Sequence, residues 1–170
     1  MSSSTAEPSS RNTIKAAVIT VSDSCSRGER KDLSGPAVLS FLDKHGFQVI
    51  AREIVPDDFI QIQNLLIHLS RSADLIVSTG GTGISPRDVT PEATKAVCDK
   101  LIDGMAERMR TEGTKKTPYA ALSRGVCGIC GQTLIVNLPG SPAGAVESLE
   151  AIATMIPHAV DLLHGKTEHK

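Results

Sequence analysis

A chain of 170 residues, 40% hydrophobic and 22% charged, has the makings of one globular domain able to bury roughly 70% of its unfolded surface. A formal net charge of −1 gives no electrostatic ground for a nucleic acid or membrane partner, and 2% aromatics with no tryptophan argue against a base-stacking platform. No signal-peptide pattern opens the chain and no apolar stretch approaches the ~20 residues of a membrane span, so it is expected to be cytoplasmic, with Cys25, Cys98, Cys127 and Cys130 reduced.

Residues 1–12 are polar and Ser-rich and read as a disordered tail; a single domain is expected over 13–165, with a short second tail at 166–170. The β-branched run 14–21 predicts a buried strand, followed by a polar loop over 22–33. Ser34-Gly35-Pro36 opens a helix that Gly46 ends. Residues 47–55 predict the second strand. Asp57 starts the next helix, whose Phe59, Ile62, Leu66 and Leu69 share one face. The run 73–78 is a third strand. It leads into Gly80-Gly81-Thr82-Gly83, then Arg87-Asp88, then a helix with Thr90 as N-cap and Pro91 at its first position. A helix over 103–112, a turn or short helix opened by Pro118, and paired strands 126–129 and 133–138 follow. Ser141-Pro142 caps a long final helix that Pro157 should kink or split.

Strands alternating with amphipathic helices predict an α/β fold, three layers α/β/α, with a mostly parallel central sheet plus a small β-hairpin. Ligands of such sheets sit beyond the carboxyl ends of the strands. Four segments fall there: Ser22-Asp23, Val55-Pro56-Asp57-Asp58, the loop 79–90, and Asn137-Leu138-Pro139-Gly140-Ser141-Pro142. The glycine loop matches neither a Walker A loop nor a dinucleotide fingerprint. It offers bare amides beside hydroxyls, a cation and a carboxylate, which suits a phosphate ester, although a tight strand-to-helix turn would look similar. Asp88 suits Mg²⁺ or a helix N-terminus. Arg87 suits a phosphate or a neighbouring carboxylate. Asp57 on local grounds reads better as a helix cap, and Ser22-Asp23 could close a turn. Pro139-Gly140-Ser141-Pro142 fits a plain cap as well as an anion site, and Ser123-Arg124 alone is weak evidence. Cys127 and Cys130, three apart on a strand, point to opposite faces and so disfavour joint metal binding. The histidines carry no ligand spacing.

Taken together, these motifs resemble the molybdopterin adenylyltransferase family: the MogA/MoaB-type bacterial proteins and the G domains of gephyrin and its plant counterpart. The resemblance runs over residues 14–164 and rests on Thr20-Val21-Ser22-Asp23-Ser24, Asp32-Leu33-Ser34-Gly35-Pro36, Val55-Pro56-Asp57-Asp58, the segment 78–94, Leu122-Ser123-Arg124 and Asn137 to Pro142. It implies an α/β homotrimer that uses Mg²⁺ and ATP to transfer AMP to the terminal phosphate of molybdopterin, releasing pyrophosphate, with hand-over of the product to a molybdenum insertase. It implies Asp57 and Asp88 as catalytic and metal-binding aspartates and Ser123 as a catalytic serine near the transferred phosphate. Gly80, Gly81, Thr82, Gly83 and Arg87 would hold nucleotide phosphates. Ser22, Asp23, Pro139, Gly140, Ser141 and Pro142 would contact ligand. Two other functions compete: a non-catalytic MoaB-type molybdopterin carrier, and a nucleotide hydrolase needing no pterin. The Cys127–Cys130 pair lies outside the family pattern.

Overall fold

The computed structural model describes residues 12–166; the two tail readings fall outside it except at Asn12 and Lys166. In chain order the elements are β1 (Lys15–Val21), α1 (Asp23–Ser26), α2 (Ser34–Lys44), β2 (Gln48–Val55), α3 (Phe59–Ser70) and β3 (Leu75–Thr79). Then come α4 (Thr90–Val97), β4 (Lys100–Leu101), α5 (Asp103–Thr114), a 3-10 turn (Pro118–Leu122), β5 (Cys127–Cys130), β6 (Thr133–Leu138), α6 (Pro142–Ile152) and α7 (Met155–Leu163). The strands form one sheet in the order β2-β1-β3-β6-β5-β4. β1 pairs in parallel with β2 and β3, and β3 with β6. β5 and β4 extend the sheet antiparallel, β5 and β6 forming the expected hairpin.

Helices cover both faces, which is why the central strands are aliphatic throughout rather than alternating. Ala16, Val18, Leu75, Val77, Leu134 and Val136 pack against α2, α5, α6 and α7. Their neighbours Ala17, Ile19, Ile76 and Ile135 face α3 and α4. Fully buried side chains such as Ile19, Leu75, Ile76 and Leu149 each contribute about 1.5–3 kcal/mol, so the core holds with few aromatics.

Four local details depart from the sequence reading. The polar stretch after β1 begins with one helical turn, α1, capped by Ser22, whose Oγ accepts from the Cys25 amide at 3.2 Å. The cap of α3 is Asp58, not Asp57: its carboxylate accepts from the Gln61 amide at 2.9 Å. Thr90 lies inside α4 rather than capping it, because its hydroxyl is spent on the loop before it. The two-residue strand β4 carries no period long enough to read. The final helix does split, at Ala153-Thr154, which puts Pro157 in the first turn of α7 where its missing amide hydrogen costs little.

Strand order reverses between β1 and β3, since β2 lies outside β1 and the chain then crosses back. The carboxyl ends of β1 and β3 therefore flank the crevice where ligands of open α/β sheets bind. Buried polar groups tie that edge together. Ser34 Oγ and Thr79 Oγ1 lie 2.8 Å apart, the Thr20 hydroxyl donates to Asp32 at 2.8 Å, and the Asn137 amide donates to Ser78 and Thr94, each at 3.0 Å.

Candidate functional site

The glycine loop leaves β3 under tight constraint. Gly80 (φ 89°) donates to the Leu138 carbonyl at 3.1 Å, and a Cβ there would collide with the Val21 carbonyl oxygen. Only glycine fits between the ends of β1 and β6. Thr90 staples the loop to α4: its hydroxyl donates to the Gly80 carbonyl at 3.0 Å and its amide to the Gly81 carbonyl at 3.1 Å. Further along, the Ser85 amide donates to Asp88 Oδ2 at 3.0 Å while the Asp88 amide donates to the Ser85 carbonyl at 2.9 Å. That reciprocal pair holds Asp88 beneath Gly83.

Arg124 clamps the loop from outside. Its Nε donates to the Gly83 carbonyl at 2.8 Å, its Nη2 to the Asp88 carbonyl at 2.9 Å and its amide to the Thr82 carbonyl at 2.8 Å, while Glu92 pairs with its Nη1. Local sequence around Ser123-Arg124 carries no sign of this, because the partners lie far back along the chain. Arg124→Met is expected to leave the fold intact, shift the thermal midpoint only modestly and lower catalytic turnover about tenfold or more by freeing the loop; unchanged turnover in purified variant would show that the clamp is dispensable.

Three aspartates gather beside the loop. The Asp23 amide donates to Asp57 Oδ2 and the Asp57 amide to Asp23 Oδ1, both at 3.0 Å. Arg87 forks onto Asp23, its Nε and Nη2 each 3.0 Å from a carboxylate oxygen. Of the two roles open to Arg87, carboxylate pairing is therefore the one seen. The Arg87 guanidinium holds the Asp23 carboxyl below its ordinary value. Asp57 is shifted the other way, first by burial and then by the negative charges of Asp23 and Asp88, against the Asp23 amide. Relieved of capping by Asp58, it is free for another task. Its folded carboxyl ionises at higher pH than the unfolded one, so its ionisation costs stability as pH rises through the carboxylate range. Asp57→Asn is thus expected to raise the metal-free unfolding midpoint slightly at pH 7, with the gain vanishing below the ordinary value of about 4; thermal melts at the two pH values measure it.

Two cavities open at this edge. The larger, about 460 Å³, is lined by Gly80, Gly81, Thr82, Gly83, Asp88, Ser123, Pro139, Gly140 and Ser141, backed by Ala106 and Met109 of α5. The smaller, about 350 Å³, lies beyond β1 and takes in Ser22, Arg30, Lys31 and Pro142. Gly80, Gly140 and Ser141 line both, so the cavities share a wall. Ser141 Oγ accepts from the Gly144 amide at 3.1 Å, placing the N-terminus of α6 at that wall. Asp23, Asp57 and Arg87 line neither cavity. Asp57 Oδ1 lies 3.1 Å from where a Cβ on Gly81 would be, just behind the loop. Arg110 of α5, which no motif marked, also lines the larger cavity.

Among the described residues no group of three or more His, Cys, Asp or Glu side chains is placed to hold a metal. That donor set argues against a protein-only cage. It fits Mg²⁺ delivered on phosphates and held by one or two carboxylates, with Asp88 on the cavity wall and Asp57 just behind the loop as the groups available. Cys127 packs in one core and Cys130 against the other, on opposite faces of the sheet as their spacing predicts. Burial pushes the thiol of Cys127 up to about 12 and that of Cys98 up to about 11, so both stay protonated and structural.

The family described as "Probable molybdopterin binding domain" matches residues 17–158. The molybdopterin adenylyltransferase of Helicobacter pylori is 43% identical over 157 residues, covering 90% of this chain and 89% of that protein. Molybdenum cofactor synthesis protein cinnamon of Drosophila melanogaster is 45% identical over 151 residues, 86% of this chain but 25% of its own length. The crystal structure of the molybdopterin biosynthesis enzyme MoaB from Thermus thermophilus superposes with a TM-score of 0.86 at 49% identity, covering 91% of this chain and 98% of that one. The family model, the shared fold and relatives above 40% identity over most of the sequence agree: the chain belongs to the molybdopterin adenylyltransferase family of the MogA/MoaB type.

Proposed function

We propose that this chain adenylylates molybdopterin, transferring AMP from ATP to the terminal phosphate of the pterin in molybdenum cofactor biosynthesis. The observation that carries the proposal is the pair of cavities sharing the wall of Gly80, Gly140 and Ser141. A reaction that joins the phosphates of two molecules needs two sites meeting at a phosphate-binding surface. Glycine amides and the N-terminus of α6 supply such a surface.

In this reaction an oxygen of the pterin phosphate attacks the α-phosphorus of ATP. The new P–O bond forms as the bond to the β-phosphate oxygen breaks, and pyrophosphate departs with the electron pair. The attacking oxygen is already anionic, so little general-base help is required. The difficulty is bringing polyanions together in line, which makes positioning and charge neutralisation the main contributions. Gly81, Thr82 and Gly83 hold phosphate oxygens on backbone amides while Gly80, its own amide bonded to Leu138, shapes the turn; Ser123 orients the group in transfer, and Ser22 and Ser141 with Pro139, Gly140 and Pro142 seat the ligands. Asp23 and Arg87 brace Asp57 from behind. Bound Mg²⁺, held through Asp57 and Asp88, would neutralise charge on the nucleotide phosphates.

The chain's trimeric state is part of the same proposal. It is supported by the exposed apolar side chains Ile50 and Ile54 on edge strand β2 and Phe59, Ile60 and Ile67 on α3, and light scattering would show three times the 17.9 kDa chain mass. Hand-over of adenylylated product to an insertase completes the reading, in line with the match to a quarter of the cinnamon protein. The deciding experiment mixes protein, Mg-ATP and molybdopterin and measures pyrophosphate. Release that requires the pterin is expected. Tight pterin binding without release would instead make the protein a carrier, and ATP turnover without pterin a hydrolase.

A further inference from the structure

Three arginines around the site are matched to carboxylates. Arg87 pairs with Asp23, Arg52 with Asp32 and Arg124 with Glu92. Half-buried Arg110, in the last turns of α5, has no carboxylate partner among the described residues. Its Nη1 donates to the Gly125 carbonyl at 2.9 Å and the Ser123 carbonyl at 3.4 Å, which fixes the guanidinium against the chain segment carrying Ser123. Nε and Nη2 are left without a partner among the described residues.

Charge in the larger cavity sharpens the point. Besides Arg110 its charged lining residues are Asp88 and Glu147. Lys116 neutralises Glu147 at 3.0 Å. Arg110 is therefore the one cation lining this cavity among the described residues, set against the apolar wall of Ala106 and Met109. A guanidinium in that setting, already oriented by backbone bonds, suits a bidentate contact to an oxyanion. The smaller cavity has its own cations in Arg30 and Lys31.

We propose that Arg110 is the phosphate-binding cation of the larger cavity, taking an oxyanion of the substrate seated there through Nε and Nη2 while Nη1 anchors it to the 123–125 backbone. This rests on the transferase reading. The phosphate could belong to the pterin or to the nucleotide, so the test uses four ligands: molybdopterin, its dephosphorylated form, ATP and adenosine, each titrated into wild-type, R110Q and R110K protein. R110Q is expected to lose about tenfold to a hundredfold in affinity for molybdopterin or for ATP. Its affinity for the matching phosphate-free ligand should be unchanged, and R110K should recover part of the loss. Which phosphorylated ligand weakens identifies the occupant. Equal losses for phosphorylated and phosphate-free ligands would make Arg110 a structural brace and overturn the proposal. So would full affinity of R110Q for both phosphorylated ligands while wild-type protein still releases pyrophosphate. Wild-type protein that binds neither molybdopterin nor ATP would remove the transferase reading itself and this proposal with it.

Discussion

Asp88→Ala is expected to abolish pyrophosphate release while leaving most of the affinity for molybdopterin. Asp88 lines the larger cavity under Gly83, and among the described residues its carboxylate accepts a hydrogen bond only from the Ser85 amide. Little of the fold depends on it, whereas in the proposed reaction the charge it would present to a metal-bound nucleotide has no substitute within the loop. Asp88→Asn separates the two roles. The amide oxygen can still accept from Ser85, so the loop should keep its shape and the thermal midpoint should barely move. Loss of the negative charge should nonetheless cut turnover by about a hundredfold or more. If purified Asp88→Asn keeps substantial turnover, Asp88 is a loop-shaping residue and its role as a metal ligand is lost.

Gly80→Ala should be the most damaging single-methyl change in the loop. The residue adopts φ 89°, and the added Cβ would run into the Val21 carbonyl oxygen, a backbone atom pinned in the centre of the sheet. Left-handed strain and the collision together are expected to cost about 2–4 kcal/mol, a large share of the roughly 5–15 kcal/mol that holds a domain folded. Any relaxation would push β3 away from β1 and distort the wall between the cavities, so turnover should fall even in the fraction that folds. Gly131→Ala is the control. That glycine turns the β5–β6 hairpin at φ 60°, and an added methyl there would meet nothing within 4 Å, so only the conformational cost of about 1–2 kcal/mol applies. Chemical denaturation of both variants reads the difference. Equal losses would mean that the β1 contact does not constrain the loop.

Much of the architecture is legible in the order of residues because it depends on local rules. Continuous aliphatic runs mark strands covered on both faces, and Ser141-Pro142 and Ser34-Gly35-Pro36 mark helix starts. The glycine loop is legible as a special turn for the same reason: three glycines between a strand and a helix have few other uses. What local rules miss is the choice between two residues able to do one job. Asp57 and Asp58 both suit the cap of α3, and the decision for Asp58 comes from Asp23, 34 residues earlier, whose amide and carboxylate engage Asp57. Thr90 likewise looks like a cap until the Gly80 carbonyl claims its hydroxyl. Arg110 is invisible in sequence since helical arginines are ordinarily solvated, and Arg124 shows only as the second half of a weak Ser123-Arg124 signal; the fold alone brings them to the cavity wall and the glycine loop.

The central claim is that two substrates meet across the wall formed by Gly80, Gly140 and Ser141. The most direct measurement is a crystal structure of the wild-type protein with Mg²⁺, molybdopterin and an ATP analogue whose α–β bridge cannot be cleaved. Pterin in one cavity and nucleotide in the other are expected, with the α-phosphate on the amides of residues 81–83, Mg²⁺ reached by Asp88, and the pterin phosphate in line for attack. Both ligands in one cavity, or phosphates bound away from the glycine loop, would contradict it.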